Sequence, residues 1–395
     1  MKFLIFDTIL NGHHTDYITY LVDYWCEHQM PGELYVVTPC GFSASLSAEA
    51  RAYPGISCLE LHEDELRLAQ KGSTFRRSFS EWNLFVKYAR QIRPTQALLM
   101  YFDLFQMGMW LGEKSPCPVS GIYFRPSFHY SVQLSVKEKA LALRKKWLLS
   151  RVMTNPSLTH LFCLDKSSVK AIRKISNRVR VLPLSDPVKE YAVSAREVEA
   201  LRRKLGIEAR RKVFLVFGYL DNRKGIEPIL DAADQLTEAE RADFALLLAG
   251  PISDDYRHAI DERISRLKSG TQVVCLYEKR FGPAIQILFE LSDFVLTLYQ
   301  KHIGMSSIVV RAALSRKPLI SSDFGYMGSL VDNEVLGTTI NSASIPSIAE
   351  AFRQALRGEV VFSGSAVRTL SEQNTFQQYA RQIIGALVKA PVTPS

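Results

Sequence analysis

Short apolar runs alternate with longer amphipathic stretches along this whole chain, and the alternation breaks only once. In the first half Lys2–Phe6, Glu33–Val37, Ala97–Tyr101, Ser120–Phe124, His160–Leu164 and Val179–Leu182 read as strands, with Thr15–Glu27 and Lys137–Met153 as helices between them. Near-continuous apolar strands joined by helical crossovers argue for parallel sheets covered on both faces. The break is Pro183-Leu184-Ser185-Asp186-Pro187-Val188. Two prolines around an aspartate continue neither a helix nor a central strand. The pattern then restarts, with strands at Val213–Phe217, Ala245–Ala249, Val273–Leu276, Phe294–Leu298 and Leu319–Ser321.

A chain of 395 residues exceeds what one core organises. The expected fold class is therefore α/β, with two doubly wound Rossmann-like domains facing each other across a cleft. The predicted division is an amino-terminal domain over 1–186, a linker over 187–212, a second domain over 213–371, and a helix and tail over 372–395 that cross back to the first domain. In such sheets ligands sit beyond the carboxyl ends of the strands, so the cleft is the expected site.

Composition narrows the partners. Hydrophobic residues make up 47% and charged residues 23%, the values of an ordinary globular protein. The most apolar stretch, Ala97–Leu111, carries Asp103 and Gln106, so no membrane span is predicted. Met1–Phe6 is too short for a signal peptide. Six scattered cysteines with no C-x-x-C pair point to neither a disulfide framework nor a zinc site, and suit a reducing cytosol. The net charge of +9 suits anionic small molecules, a membrane surface or nucleic acid. Without a basic motif interleaved with aromatics, nucleic acid is not an expected partner. The helix Lys137–Met153 carries six cations against one Glu138, together with Trp147. It reads either as a solvated basic face or as a face for anionic lipid at the cytoplasmic side of a membrane.

Two stretches of the second half can carry chemistry. Tyr299 to Asp323 reads strand end, small-residue turn, helix, basic turn, strand. Gly304 allows close backbone approach and Ser306 is a good N-cap, so the amides of that helix start suit a phosphate; the plain alternative is a capped helix. In Phe217 to Gly225 a buried strand ends in a polar turn, with Arg223 and Lys224 placed for a diphosphate or for solvent. In the first half, Asn11-Gly12-His13-His14 follows the first strand, and adjacent histidines without a carboxylate cluster do not make a metal site. Asp103, Arg125 and His129 follow two further strands, and a histidine there can hold or donate a proton near neutral pH.

Together these segments resemble the carboxyl-terminal half of the GT-B glycosyltransferases, especially glycosyltransferase family 4. The motif carriers are Gly218-Tyr219-Leu220 followed by Lys224-Gly225, the strand Leu246–Gly250, the run Leu288–Tyr299 with Asp293 at its centre, and Ile303–Ile320 with Lys317-Pro318. The resemblance covers about Val179 to Val331, and the first half matches in element order only. It implies a transferase that moves a hexosyl unit from a UDP- or GDP-sugar to a hydroxyl of a polysaccharide, glycolipid or small molecule. It also implies retention of configuration, no metal and no cofactor beyond the donor itself. By the same resemblance, Lys224 and Arg223 would meet the diphosphate. The amides around Gly304, Met305 and Ser306, with Ser307, would hold phosphate and sugar, and Arg311 would face the ribose. Lys279 and Arg280 would lie near the base, and Gly12, His13 and Arg125 would approach the donor from the first domain. His14, Asp103 and His129 are the catalytic candidates on the acceptor side.

The sequence departs from the family at both glutamates of its E-x7-E pair, which are Ile303 and Arg311 here, and at the arginine after the first glycine, which is Tyr219. His302 and Ser306 are placed to take over sugar contacts, and Arg311 to pair with phosphate. A second reading is a catalytically degenerate GT-B protein that acts as a binding or scaffold partner. A third is a phosphosugar-processing enzyme on the same frame.

Overall fold

The computed structural model describes residues 1–10, 14–126, 136–302 and 304–388. Its contacts divide the chain into two units, one of Met1–Pro187 together with the chain from Thr375 onward, the other of Val188–Asn374. Each is a wholly parallel sheet with helices on both faces.

The first sheet has seven strands: β1 (Lys2–Phe6), β2 (Glu33–Thr38), β3 (Ile56–Glu60), β4 (Gln96–Leu99), β5 (Val119–Tyr123), β6 (Leu158–Cys163) and β7 (Arg180–Pro183). They lie in the order β3-β2-β1-β4-β5-β6-β7. Strand alternation sends Leu4 and Phe6 to one face, packed with Trp82, Phe85 and Phe105, and Phe3 and Ile5 to the other, packed with Tyr17 and Trp25. That second face is completed by the helix Phe376–Val388, whose Tyr379 and Ile383 are fully buried beside the helix His14–Glu27. Ser185 donates its N–H to Gln382 in the same unit (2.9 Å).

The second sheet has six strands: β8 (Lys212–Phe217), β9 (Phe244–Ala249), β10 (Gln272–Leu276), β11 (Phe294–Thr297), β12 (Leu319–Ser322) and β13 (Gly337–Ile340). Their order is β10-β9-β8-β11-β12-β13. Its strands read as continuous apolar runs because both faces are covered, by Ile229, Ala233 and Phe352 on one side and Phe289, Val309 and Met327 on the other.

Three sequence expectations need correction. The linker expected over 187–212 is part of the second unit from Val188 onward. Ser194 caps the helix Ala195–Lys204 in a reciprocal box with Glu197, and Val198, Leu201 and Leu205 pack on that unit's core. The strand expected over Ala97–Tyr101 ends at Leu99, since the helix Phe102–Leu111 starts three residues later. The single helix expected over Glu372–Leu387 is two helices. Asn374 stops the first at Gln373, its side-chain amide donating to the Leu370 carbonyl (2.7 Å) while its own carbonyl accepts from Val188 (3.1 Å). No helix among the described residues is long and apolar enough to cross a membrane.

Candidate functional site

In each sheet the strand order reverses at one place, between β1 and β4 in the first unit and between β8 and β11 in the second. A parallel sheet opens a crevice beyond the carboxyl ends of its strands at such a reversal. The residues just past β8, β11, β1 and β4 line these openings.

Past β8, the chain turns through Gly218 and the single turn Asn222–Lys224 before the helix Ile226–Asp234. Gly218 has φ +105°, and a Cβ there would stand 3.2 Å from the Lys224 ammonium. The turn folds Lys224 back over the strand end, where it is only 4% exposed. Its Nζ donates to the Phe217 carbonyl (2.7 Å) and the Tyr299 hydroxyl (2.6 Å). Tyr299 comes from just past β11. Its hydroxyl also lies 3.2 Å from Ser306 Oγ, the N-cap of the helix Ser307–Leu314, and Ser306 Oγ accepts from the Ile308 N–H. The reversal thus gathers a buried ammonium, a phenol, a serine hydroxyl and a helix start. Among the described residues no carboxylate pairs with Lys224. A buried cation is normally neutralised by a carboxylate, whereas this one has two neutral oxygens as its hydrogen-bond partners. The helix start adds its free amides and the positive end of its dipole.

The other residues expected at the donor end lie partly around this cluster and partly apart from it. Arg223 lies over the Tyr299 ring (5.5 Å) and pairs at the surface with Asp221 (3.7 Å). His302 braces the turn, packing edge-on against Tyr299 (5.3 Å) and meeting the Met305 carbonyl through Nε2 (3.3 Å). Met305 packs on the core, Ser307 is the buried first residue of the helix, and Gly304 is half-buried in the turn. One turn further on, Arg311 is half-buried, and its Nη1 is buried without a hydrogen-bond partner among the described residues. Lys279 and Arg280 follow the edge strand β10, where Lys279 covers Phe281 (4.8 Å) and Arg280 pairs with Glu278 (3.2 Å). No contact joins these two to Lys224 among the described residues. Ile303 lies outside the described residues.

Past β1, the fully buried Asp7 turns one carboxylate oxygen to the Ile9 N–H (3.0 Å) and the other to His14 Nδ1 (2.6 Å). The carboxylate engages Nδ1 and leaves Nε2 as the ring nitrogen not used in this pair. His14 stands in the first turn of its helix. Its ring stacks on Phe124 (5.8 Å) and meets the edge of Tyr101 (5.4 Å), the residues past β5 and β4. The loop between Asp7 and His14 is anchored on both sides. Thr8 donates to the buried Glu81 (2.7 Å), Gln70 donates to the Thr8 carbonyl (2.8 Å), and Thr15 donates to the Leu10 carbonyl (2.8 Å). Arg77 neutralises Glu81 in turn. Gly12, His13 and His129 lie outside the described residues.

Asp103, a catalytic candidate of the sequence, holds the chain past β5. Its two oxygens accept the N–H groups of Phe124 (2.9 Å) and Arg125 (3.1 Å), which fixes the chain leaving β5 beside His14. Arg125 itself is exposed. Burial outweighs those hydrogen bonds and pushes the Asp103 carboxyl up to about 6 from its ordinary 3.8. The folded protein then holds this proton where the unfolded chain has lost it. The Asp103 contribution to stability therefore falls as pH rises from about 4 to about 6. The melting temperature of the wild type minus that of Asp103→Asn is expected to fall across that window, and a flat difference contradicts it. Buried His160, lowered to about 4, gives the opposite slope in both proteins and cancels.

Among the described residues no three His, Cys, Asp or Glu side chains gather as they would around a metal ion. Residues missed in the sequence are Asp7, Tyr299 and Glu81. Asp7 is the first charge after an apolar strand, a place where a loop side chain reaches a sheet's open end.

Comparison with known proteins finds a family likeness in the second half. Residues 197–382 match the family "Glycosyl transferases group 1". That stretch of the chain is similar to a group 1 glycosyl transferase domain. Lys224, Tyr299, Ser306 and Arg311 all lie inside it. A curated relative, WcaI of Escherichia coli K12, assigned to colanic acid biosynthesis as a glycosyl transferase, is 23% identical over 49% of this chain and 48% of its own length. The chain thus spans about half the length of the curated relative it matches. Likeness of fold runs further. The structure of Anabaena HepE in complex with UDP-glucose superposes with a TM-score of 0.70 at 16% identity, covering 99% of this chain and 100% of HepE. WaaG, a glycosyltransferase involved in lipopolysaccharide biosynthesis, gives 0.64 at 13% identity, over 99% and 100%. The two sheets with their helices have the GT-B fold.

Proposed function

We propose that this protein is a glycosyltransferase that moves a sugar from a nucleotide-diphosphate donor to a hydroxyl acceptor on a polysaccharide, glycolipid or small molecule. The observation that carries this reading is the Lys224 ammonium, buried without a carboxylate at the strand reversal of a group 1-like domain and linked through Tyr299 to a serine-capped helix start. The UDP-glucose held by HepE, which shares the fold, supports a UDP-sugar ahead of a GDP-sugar.

In this reading the donor diphosphate meets Lys224, the Ser306 hydroxyl and the first amides of the helix Ser307–Leu314. Negative charge grows on the diphosphate as the bond to the anomeric carbon breaks, and fixed donors aimed at that charge lower the barrier. Arg311 supplies a further unpaired N–H toward the donor, where the family resemblance has a glutamate. His14 receives the acceptor hydroxyl at Nε2 and takes up its proton as the new C–O bond forms, and Asp7 stabilises the imidazolium. The electron pair of the broken bond leaves with the nucleoside diphosphate. The resemblance to family 4 supports transfer without a resident metal and with retention of configuration, which in a single step requires the acceptor oxygen to enter on the face from which the diphosphate leaves.

The test is incubation of the full chain with radiolabelled UDP- and GDP-sugars, followed by separation of free sugar, nucleoside diphosphate and glycosylated product. Release of UDP with sugar transfer or slow hydrolysis is expected, also in the presence of a chelator. A folded protein that consumes no donor contradicts the reading. Loss of the two family glutamates favours one alternative, a donor-binding scaffold without turnover; it predicts donor binding with no release.

A further inference from the structure

The helix Val136–Val152, which the catalytic reading does not use, has a surface that calls for a partner. It packs on the first unit through Ala142, Leu149 and Val152, all buried. At about 100° per residue the opposite face centres on Leu143 and Trp147, and these are 68% and 48% exposed. Lys139 and Lys146 flank this apolar stripe on one side, Arg144 and Arg151 on the other, and all four are exposed. Among the described residues none of the four is paired with a carboxylate, and Arg151 lies over the Trp147 ring (5.5 Å). The stripe runs on to the end of the helix Phe102–Leu111, where Trp110 meets Trp147 edge-on (5.1 Å) and Leu111 is 55% exposed.

An aromatic and leucine stripe bordered by two cations on each side is the arrangement that lies in the headgroup region of an anionic bilayer. The apolar side chains enter the acyl boundary and the cations reach lipid phosphates. A solvated basic face has no use for an exposed tryptophan and leucines at its centre. A nucleic-acid face would place its cations at the centre of the contact. We infer that this protein docks on the surface of a membrane rich in anionic lipid, through the face of Val136–Val152 centred on Leu143 and Trp147. The inference is independent of the transferase reading, since it rests on no residue of the donor or acceptor sites.

The experiment is co-sedimentation of the full chain with vesicles of phosphatidylcholine alone and of phosphatidylcholine mixed with phosphatidylglycerol, at low and high salt. Inorganic phosphate and duplex DNA serve as competitors. Expected is binding to the anionic vesicles only, weakened by salt, insensitive to inorganic phosphate, and little reduced by DNA. The variant Leu143→Glu should bind at least tenfold more weakly, and Lys139→Glu with Lys146→Glu weaker by on the order of fivefold per cation or more. Both substitutions are at exposed positions, and unchanged circular dichroism and melting temperature confirm the fold. No binding to anionic vesicles overturns the proposal. So does undiminished binding by Leu143→Glu, or displacement of the vesicles by DNA.

Discussion

Lys224→Ala lowers turnover of a nucleotide-sugar donor by about 100- to 1000-fold, the loss expected when one fixed donor to a developing anion is removed from a dry site. The ammonium is buried, it stands at the carboxyl end of β8, and its charge is unmatched among the described residues. The substitution also leaves the Phe217 carbonyl and the Tyr299 hydroxyl short of a partner, which costs about 1–3 kcal/mol of stability. Lys224→Met loses the same charge and hydrogen bonds but keeps most of the stem's volume, so comparing the two variants separates loss of the ammonium from the cavity that alanine leaves. Both variants should raise KM for the donor as well as lower kcat, since the diphosphate is charged before and after transfer. A scaffold that binds without turnover has no kcat to lose, and turnover within tenfold of the wild type in both variants would count against the role given to this lysine.

The second large effect is expected at the other strand reversal. Asp7→Asn lowers kcat by about 100- to 10,000-fold, the range spanned by loss of a positioned acid–base group. An asparagine offers His14 Nδ1 a neutral partner that neither fixes the tautomer nor stabilises the imidazolium. His14→Ala should lose a similar factor, and the double variant little more, because the two groups act as one. The KM for the donor should barely change, as neither residue belongs to the group 1-like domain. Asp7→Asn with wild-type turnover would remove the pair from the chemistry, and a drop in donor affinity with unchanged kcat would assign it to binding.

These two sites were unequally legible in the sequence. Lys224 stands in a local pattern, glycine past a buried strand, then lysine-glycine before a helix, so the eight residues from Gly218 to Gly225 suffice to mark it. Tyr299 lies inside a quoted motif, yet nothing in its neighbours says that its hydroxyl joins Lys224, 75 residues earlier, to Ser306. Asp7 is harder still. Its partner His14 is across a loop, and the Thr8–Glu81 anchor that sets the loop spans 73 residues. Contacts of that range exist only once the sheet has formed.

The fold shows the same division. Central strands such as β1, β8 and β9 are buried on both faces and announce themselves as apolar runs. The edge strands β3 and β13 are half-exposed and polar, Ile56-Ser-Cys-Leu-Glu60 and Gly337-Thr-Thr-Ile340, and carry no such mark. The helix Ala195–Lys204 looked like a linker because it is charged and has no fully buried residue, and only its apolar edge ties it to the second unit. The missing glutamates at 303 and 311 were plain in the sequence. What Arg311 offers in their place, a buried N–H without a partner, required the structure.

The central claim is that the group 1-like domain grips a nucleotide diphosphate with Lys224 and the Ser306-capped helix. Isothermal titration of the full chain with UDP, UDP-glucose and GDP-mannose, set beside the same titrations of Lys224→Met, tests it most directly. The account predicts saturable heat with at least one of the three and its loss in the variant. Heat that survives unchanged in Lys224→Met, or none from any of the three with a folded protein, would contradict it.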